Sequence, residues 1–237
     1  MNKKSSVHVH RISEVVAILL LTAFVFGSSI CFAGQFRPPV ANSPTPSAPA
    51  NELETLIGNA RDIYEKSKIN HWKHLDKKVS SLMRAEQTIS GIMHDKDIPY
   101  YKNLMGVTTD LERAVAVQDR IASMKSANKI MLLGARLAET HNAATPINVA
   151  VIGYCGRKLE ILSETESVFD LSDTVTKLHL SWQQLIPQVT AHGGIKEVKK
   201  FADIMKRFEV AKTPEEYGRL AAAVVDQAEI IEKLFKK

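Results

Sequence analysis

The sequence predicts an all-α protein, an elongated antiparallel bundle of about five to six helices with long helices in its N-terminal half. From residue 51 onward, apolar residues recur at spacings of three and four, the period of a helix with one buried face. Capping pairs precede several of these segments, and only residues 147–155 have a strand-like composition. No repeat of roughly 30 to 45 residues is evident, which argues against a regular solenoid.

The N-terminus has the pattern of a secretory signal peptide. Lys3, Lys4 and Arg11 form a basic start, and an uncharged apolar segment follows. Ala33 supplies the small residue that a signal peptidase requires. We therefore expect residues 1–33 to be removed on export, which leaves a periplasmic or extracellular protein. The alternative is an N-terminal membrane anchor, because the apolar segment approaches the roughly 20 residues that span a bilayer.

Two further regions follow the signal peptide. Residues 34–50 are rich in Pro, Ser and Ala and lack apolar periodicity, which predicts a disordered tether. Residues 51–237 are predicted to form a single helical-bundle domain with one core. Without residues 1–33 the formal charge falls from +5 to +3, because three basic residues and one acidic residue are lost. Since acidic and basic residues alternate in every segment, nucleic acid is not an expected partner.

The first helical region spans residues 51–93. Its apolar period changes phase near Ile69, which indicates either one long helix or a kink. Pro99 then interrupts the pattern. Thr109 and Glu112 form a capping pair, which predicts a third helix from Thr109 to about Ala138.

The C-terminal half contains clearer start and stop signals. Thr145 and Pro146 predict a helix start, and that helix is expected to run to about Phe169. A further helix restarts at 170–173, is expected to kink at Pro187, and ends at Gly193–Gly194. An amphipathic helix follows from Ile195. The segment Thr213–Glu216 predicts the start of the last helix, because a cap residue is followed by proline and two acids.

Residues 129–156 form two apolar arms around a polar turn. Neither arm approaches the length of a spanning helix, and Arg136 and Glu139 would have to enter the bilayer with the turn. We therefore expect a buried hairpin, in which glycines allow close packing of the backbones; contact with a membrane is the alternative. Whether 147–155 is helix or strand stays open. If the hairpin instead contacts a membrane or a partner, the residues expected to do so are Leu132, Leu133, Ile147, Val149, Val151 and Ile152.

Motifs for catalysis or for cofactors are not found in the sequence. His71 and His74 are weak metal candidates, because two imidazoles three residues apart on a helix supply at most half of a zinc or copper site. No catalytic residue, metal or other cofactor is predicted. Cys155, the single cysteine left after cleavage, is expected to be a buried small residue.

These observations favour an exported, non-catalytic helical protein that acts through protein–protein contacts. It would be a structural, adaptor, envelope or secretion-assembly component, with a protein partner or self-association through an unpaired apolar stripe. The alternative is a membrane-active, pore-forming-toxin-like protein that uses the apolar hairpin 129–156.

Overall fold

The computed structural model describes residues 48–91, 93–141, 144–165 and 168–236. Within these ranges the chain forms eight α-helices and one short 3-10 helix, and it contains no strand. The predicted all-α fold class is therefore confirmed. The helices are α1 (Ala48–Lys68), α2 (Leu75–Ser90), α3 (Ile98–Ala116), α4 (Arg120–Thr140), α5 (Ile147–Glu164), α6 (Val168–Ala191), α7 (Ile195–Val210) and α8 (Pro214–Phe235), with the 3-10 helix at Asp95–Asp97.

The predicted signal peptide, residues 1–33, and the tether up to residue 47 lie outside the described residues. The first helix begins at Ala48, slightly earlier than the expected domain start at residue 51.

The helix count of five to six was too low because two short turns divide the N-terminal half. The phase change near Ile69 marks the end of α1, and α2 starts only at Leu75. Asn70 and His74 have φ angles of 56° and 65° in this turn. Left-handed residues end an α-helix, so the sequence 51–93 forms two helices.

The predicted third helix, Thr109 to Ala138, is wrong at its start and in its continuity. Pro99 lies in the first turn of α3, where a proline needs no backbone N–H. Thr109 is inside α3, and its hydroxyl donates to the Met105 carbonyl at 3.1 Å. The break between α3 and α4 comes at Gln118, with a φ angle of 56°. The Asp119 carboxylate then caps α4 by accepting the Ala122 N–H at 3.0 Å.

The longest helix is not in the N-terminal half. Helices α1 to α4 contain between 16 and 21 residues, whereas α6 contains 24 residues and continues through Pro187. The predicted helix from 146 to about Phe169 ends earlier, at Glu164, and α6 begins at Val168. The segment 147–155 forms the first half of α5, so it is helix and not strand.

Two C-terminal boundaries were predicted correctly. The Thr213 hydroxyl accepts the Glu216 N–H at 3.3 Å, and the Glu216 carboxylate accepts the Thr213 N–H at 3.2 Å. This reciprocal capping box starts α8. Gly193 has a φ angle of 79° directly after α6, a conformation that glycine adopts without steric cost.

The buried apolar residues form two clusters instead of the single core expected. The first cluster lies among α1, α2, α3 and α4, and the second lies among α5, α6, α7 and α8. Helices α4 and α5 pack on each other, and each contributes a buried side chain to the cluster of the other half. Leu132 of α4 belongs to the second cluster, and Ile161 of α5 belongs to the first.

Candidate functional site

A cavity of about 160 Å³ lies between α1, α4, α5 and α8. We call it the central cavity. Small residues of α4 and α5, among them Ala135, Ala150 and Gly153, leave this space between helices that are otherwise closely packed. Most of its wall is apolar, and the apolar lining residues are Ile57, Met131, Leu132, Ala135, Ala138, Pro146, Val149, Ala150, Val225 and Ala228.

Three polar residues of the central cavity carry buried atoms without a hydrogen-bond partner. Asn128 is 2% exposed, and its Nδ2 donates to the Tyr154 carbonyl at 3.0 Å, which leaves Oδ1 unpaired. The Nε atoms of Arg61 and Arg157 are also unpaired. A buried polar atom without a partner costs about 1–3 kcal/mol.

The carboxylates nearest to the two arginines lie farther from the guanidinium nitrogens than in a usual ion pair. Arg157 Nη2 is 3.4 Å from Glu229 Oε1, and Arg61 Nη2 is 3.4 Å from Glu232 Oε2. A charge-assisted hydrogen bond between such groups is ordinarily about 2.7–2.9 Å long. Glu232 has a closer partner in Lys236, at 2.7 Å. The two arginines are thus only loosely neutralised.

Arg157 is the most enclosed charge of the site. The residue is 5% exposed, whereas the side chain of its counter-ion Glu229 is 41% exposed. The guanidinium lies 5.7 Å from the centre of the Tyr64 ring, at cation–π distance. Burial lowers the pKa of Arg157, and the like charge of Arg61 lowers it further. Both effects disfavour the cation, so a nearby anion would stabilise it.

A second set of polar contacts lies next to the cavity and joins α1 to α5. The Tyr64 hydroxyl is 2.6 Å from a Glu160 carboxylate oxygen and 3.2 Å from the Arg157 carbonyl. Lys68 forms an ion pair with the same Glu160 carboxylate. Burial, and after it the charge of Glu160, raise the pKa of Tyr64 far above its ordinary value. Burial alone would lower the pKa of Lys68, but Glu160 raises it overall.

The sequence reading did not identify Arg157, Glu160 or Asn128. For Arg157 the usable signal is its register, because Arg157 follows Gly153 by one helical turn and Val149 by two. A charged residue on the buried stripe of a helix requires a partner inside the protein.

The residues named for a membrane or partner hairpin lie in the interior of the described structure. Leu132, Val149, Val151 and Ile152 are buried in the second cluster, Leu133 is buried in the first, and Ile147 is partly buried against the second. Leu132 and Val149 also line the central cavity. Among the described helices, none is both long and apolar enough to cross a bilayer.

His71 and His74 were expected on a helix, but neither lies on one. Both are exposed in the turn between α1 and α2, and His74 is the left-handed residue that precedes Leu75. Within the described ranges, the side chains of His, Cys, Asp and Glu form no group of three or more that could hold a metal ion.

A different surface feature is the outer side of α3. This helix buries a single narrow stripe, made of Leu104, Thr108, Leu111 and Ala114. Its first half exposes Ile98 and Met105, at 40% and 47% exposure, and these two residues lie two helical turns apart on a side away from the buried stripe. Tyr100 is also 40% exposed but precedes Leu104 by one turn, on the side of the stripe. We call Ile98 and Met105 the α3 face.

Comparison of the chain with protein-family models, curated proteins and solved structures finds no significant match in any of the three. Inferences about function therefore start from this chain's own residues, at the central cavity and at the α3 face.

Proposed function

We propose that this protein is an exported, non-catalytic helical protein that acts through contact with another protein. It serves as a structural, adaptor or envelope-assembly component, and it needs no cofactor. The observation that carries the proposal is the α3 face, Ile98 and Met105, which stays exposed on a helix that buries a single stripe.

The composition of the α3 face suits a protein partner. Aromatic residues and methionine are enriched where proteins meet, and lysine and glutamate are depleted there. Ile98 and Met105, two helical turns apart on one side of α3, present apolar area that a partner helix or a second copy of the chain would bury. Methionine adapts its shape to the surface that it meets.

Site-specific photo-crosslinking in intact cells tests this function. A photoreactive residue is placed at Met105, and in a control variant at Lys199, an exposed position on α7. We expect a defined adduct from position 105 that is lost when Ile98→Ser is added. An adduct of twice the chain's mass indicates self-association, and any other defined mass indicates a separate partner. Equal adducts from both positions, or none from position 105, would contradict the proposal.

Export is part of the same proposal. Sequencing the N-terminus of the protein recovered from its native host is expected to begin at Gly34. An N-terminus that starts at Met1 in the membrane fraction would instead favour the uncleaved anchor.

The membrane-active alternative makes a different prediction. To insert, the hairpin would have to withdraw Leu133, Val151 and Ile152 from the two clusters, and each is now buried. We expect the purified protein to cause no leakage from dye-loaded vesicles of mixed neutral and anionic phospholipids. Leakage that depends on the protein concentration would favour the alternative.

A further inference from the structure

The central cavity has two ends of different chemistry. Met131, Leu132 and Val149 form an apolar wall, whereas Arg61 and Arg157 bring two cations to the same space. A dry apolar cavity of about 150 Å³ accommodates a benzene ring, so the 160 Å³ here suits a ligand of similar size. Such a ligand would place a small apolar body against the wall and a polar group against the arginines.

The polar end requires an anion in preference to a neutral group or a cation. The two guanidinium groups repel each other, and each has a single carboxylate contact of 3.4 Å. A carboxylate in the cavity would offset this like-charge repulsion, and its two oxygens can accept hydrogen bonds from a guanidinium group.

The acidic residues that line the cavity do not already supply this anion. Glu232 is shared between Arg61 and the closer Lys236, and the side chain of Glu229 is 41% exposed to solvent. Glu54 also lines the cavity, so the formal charges of the lining residues cancel overall. Around Arg157 they do not cancel, because this cation is buried whereas the carboxylates lie on more exposed side chains.

We propose that the central cavity binds a small organic monocarboxylate, about the size of benzoate, with its carboxylate on Arg61 and Arg157. The apolar body lies against Met131, Leu132 and Val149. This site is separate from the α3 face and does not depend on the protein-contact function.

Isothermal titration calorimetry of the purified full chain tests the site with three probes of equal shape, benzoate, benzyl alcohol and benzylamine. We expect benzoate to bind with a dissociation constant below about 1 mM. Benzyl alcohol and benzylamine should bind at least about tenfold more weakly, because they leave the guanidinium groups without an anion. Absence of benzoate binding at about 10 mM, or equal binding of the three probes, would overturn the proposal.

Matched variants locate the site. Arg61→Gln removes a cavity cation and should weaken benzoate binding at least about tenfold. Arg136→Gln is its control, because Arg136 has similar exposure and a similar contact, 3.3 Å to Glu139, but does not line the cavity. Equal weakening by both variants would overturn the assignment.

A third variant keeps the test decisive if Arg61→Gln does not fold. Ala135→Leu fills the cavity from α4 without changing any charge. It should abolish benzoate binding while circular dichroism shows unchanged helix content. Unchanged benzoate affinity in a folded Ala135→Leu variant would exclude the central cavity as the site.

Discussion

The Tyr64 hydroxyl connects two helices that are far apart in the sequence. Its ring is buried in the first cluster, and its oxygen reaches Glu160 and the Arg157 carbonyl on α5. Apolar spacing correctly put Tyr64 on the buried face of α1. Its hydrogen-bond partners could not be predicted in the same way, because they lie more than 90 residues later and depend on how α1 meets α5.

Tyr64→Phe is expected to lower the free energy of unfolding by about 1.5–3 kcal/mol, because it removes a buried hydrogen bond to a carboxylate. Urea denaturation followed by circular dichroism measures this difference. Tyr100→Phe is the control, since Tyr100 is 40% exposed and its change should stay within about 0.5 kcal/mol. Equal effects of the two substitutions would show that the Tyr64 hydroxyl does not stabilise the fold.

The same hydroxyl predicts a pH dependence. Burial, followed by the charge of Glu160, raises the pKa of Tyr64 in the folded protein. A group whose pKa is raised on folding contributes stability below its unfolded pKa, here about 10, and this contribution is lost as the pH rises further. The stability difference between the natural protein and Tyr64→Phe should therefore be constant up to about pH 9.5 and shrink above pH 10. A difference that stays constant to about pH 11 in urea titrations would contradict the raised pKa.

Cys155 is a buried thiol in α5, where apolar context predicted it to be. Burial raises its pKa to about 11, although Lys177 and Lys158 oppose the shift. Because the thiolate is the reactive form, the folded protein should react slowly with Ellman's reagent at pH 8.

A Cys31→Ser background isolates this thiol. Its reaction rate should be at least about 100-fold lower than that of a thiol introduced by Ser80→Cys at an exposed position of α2. Both thiols should react alike in guanidinium. A folded-state rate within tenfold of the exposed control would indicate that α5 opens readily.

At the level of helices, the glycines of the 129–156 hairpin serve contacts other than the one expected. The sequence suggested that they bring the two arms together. A Cβ at Gly134 would instead meet Ile57 on α1 at 2.7 Å, and one at Gly156 would meet Val225 on α8 at 2.8 Å. Small residues indicate that some backbone approaches closely, but they do not say which helix approaches.

Gly156→Ala is therefore expected to destabilise the protein. The added methyl would lie 3.0 Å from Val224 and 3.3 Å from the Ala221 carbonyl on α8. Overpacking typically costs about 1–3 kcal/mol, which exceeds the roughly 1 kcal/mol that alanine adds to helix stability.

Gly58→Ala is the matched control, because a Cβ at this exposed position of α1 has no neighbour within 4 Å. It should stabilise the protein by about 0.5–1 kcal/mol. Thermal denaturation should therefore shift in opposite directions for the two variants. A shift in the same direction would mean that the α5–α8 contact adapts at no cost.

Helix ends were predictable where the signal is local. The capping box of Thr213 and Glu216 is contained in four residues, and the structure confirms it. The turn at Gln118 has no such signal, because glutamine, unlike glycine, does not favour the positive φ that it adopts there. For the same reason the helix count was too low.

At the scale of the molecule, α4 and α5 couple the two clusters. Leu132 and Ile161 each lie in the cluster formed mainly by the other half of the chain. Tyr64 adds its hydrogen bonds from α1 to α5. The sequence predicted one domain over residues 51–237, and these shared side chains are the physical reason to expect one cooperative unit despite two clusters.

The two tryptophans provide a direct test, because each reports on a different cluster. Trp72 packs against the first cluster, and Trp182 is buried in the second, where it stacks on Phe201 at 4.2 Å. In Trp72→Phe and in Trp182→Phe, the remaining tryptophan's fluorescence and the circular dichroism at 222 nm are followed in the same urea titration. We expect the two signals to share one midpoint in each variant, because disrupting either cluster removes buried contacts of the other. Midpoints that separate, or a biphasic loss of helix, would show that α1–α4 and α5–α8 unfold independently.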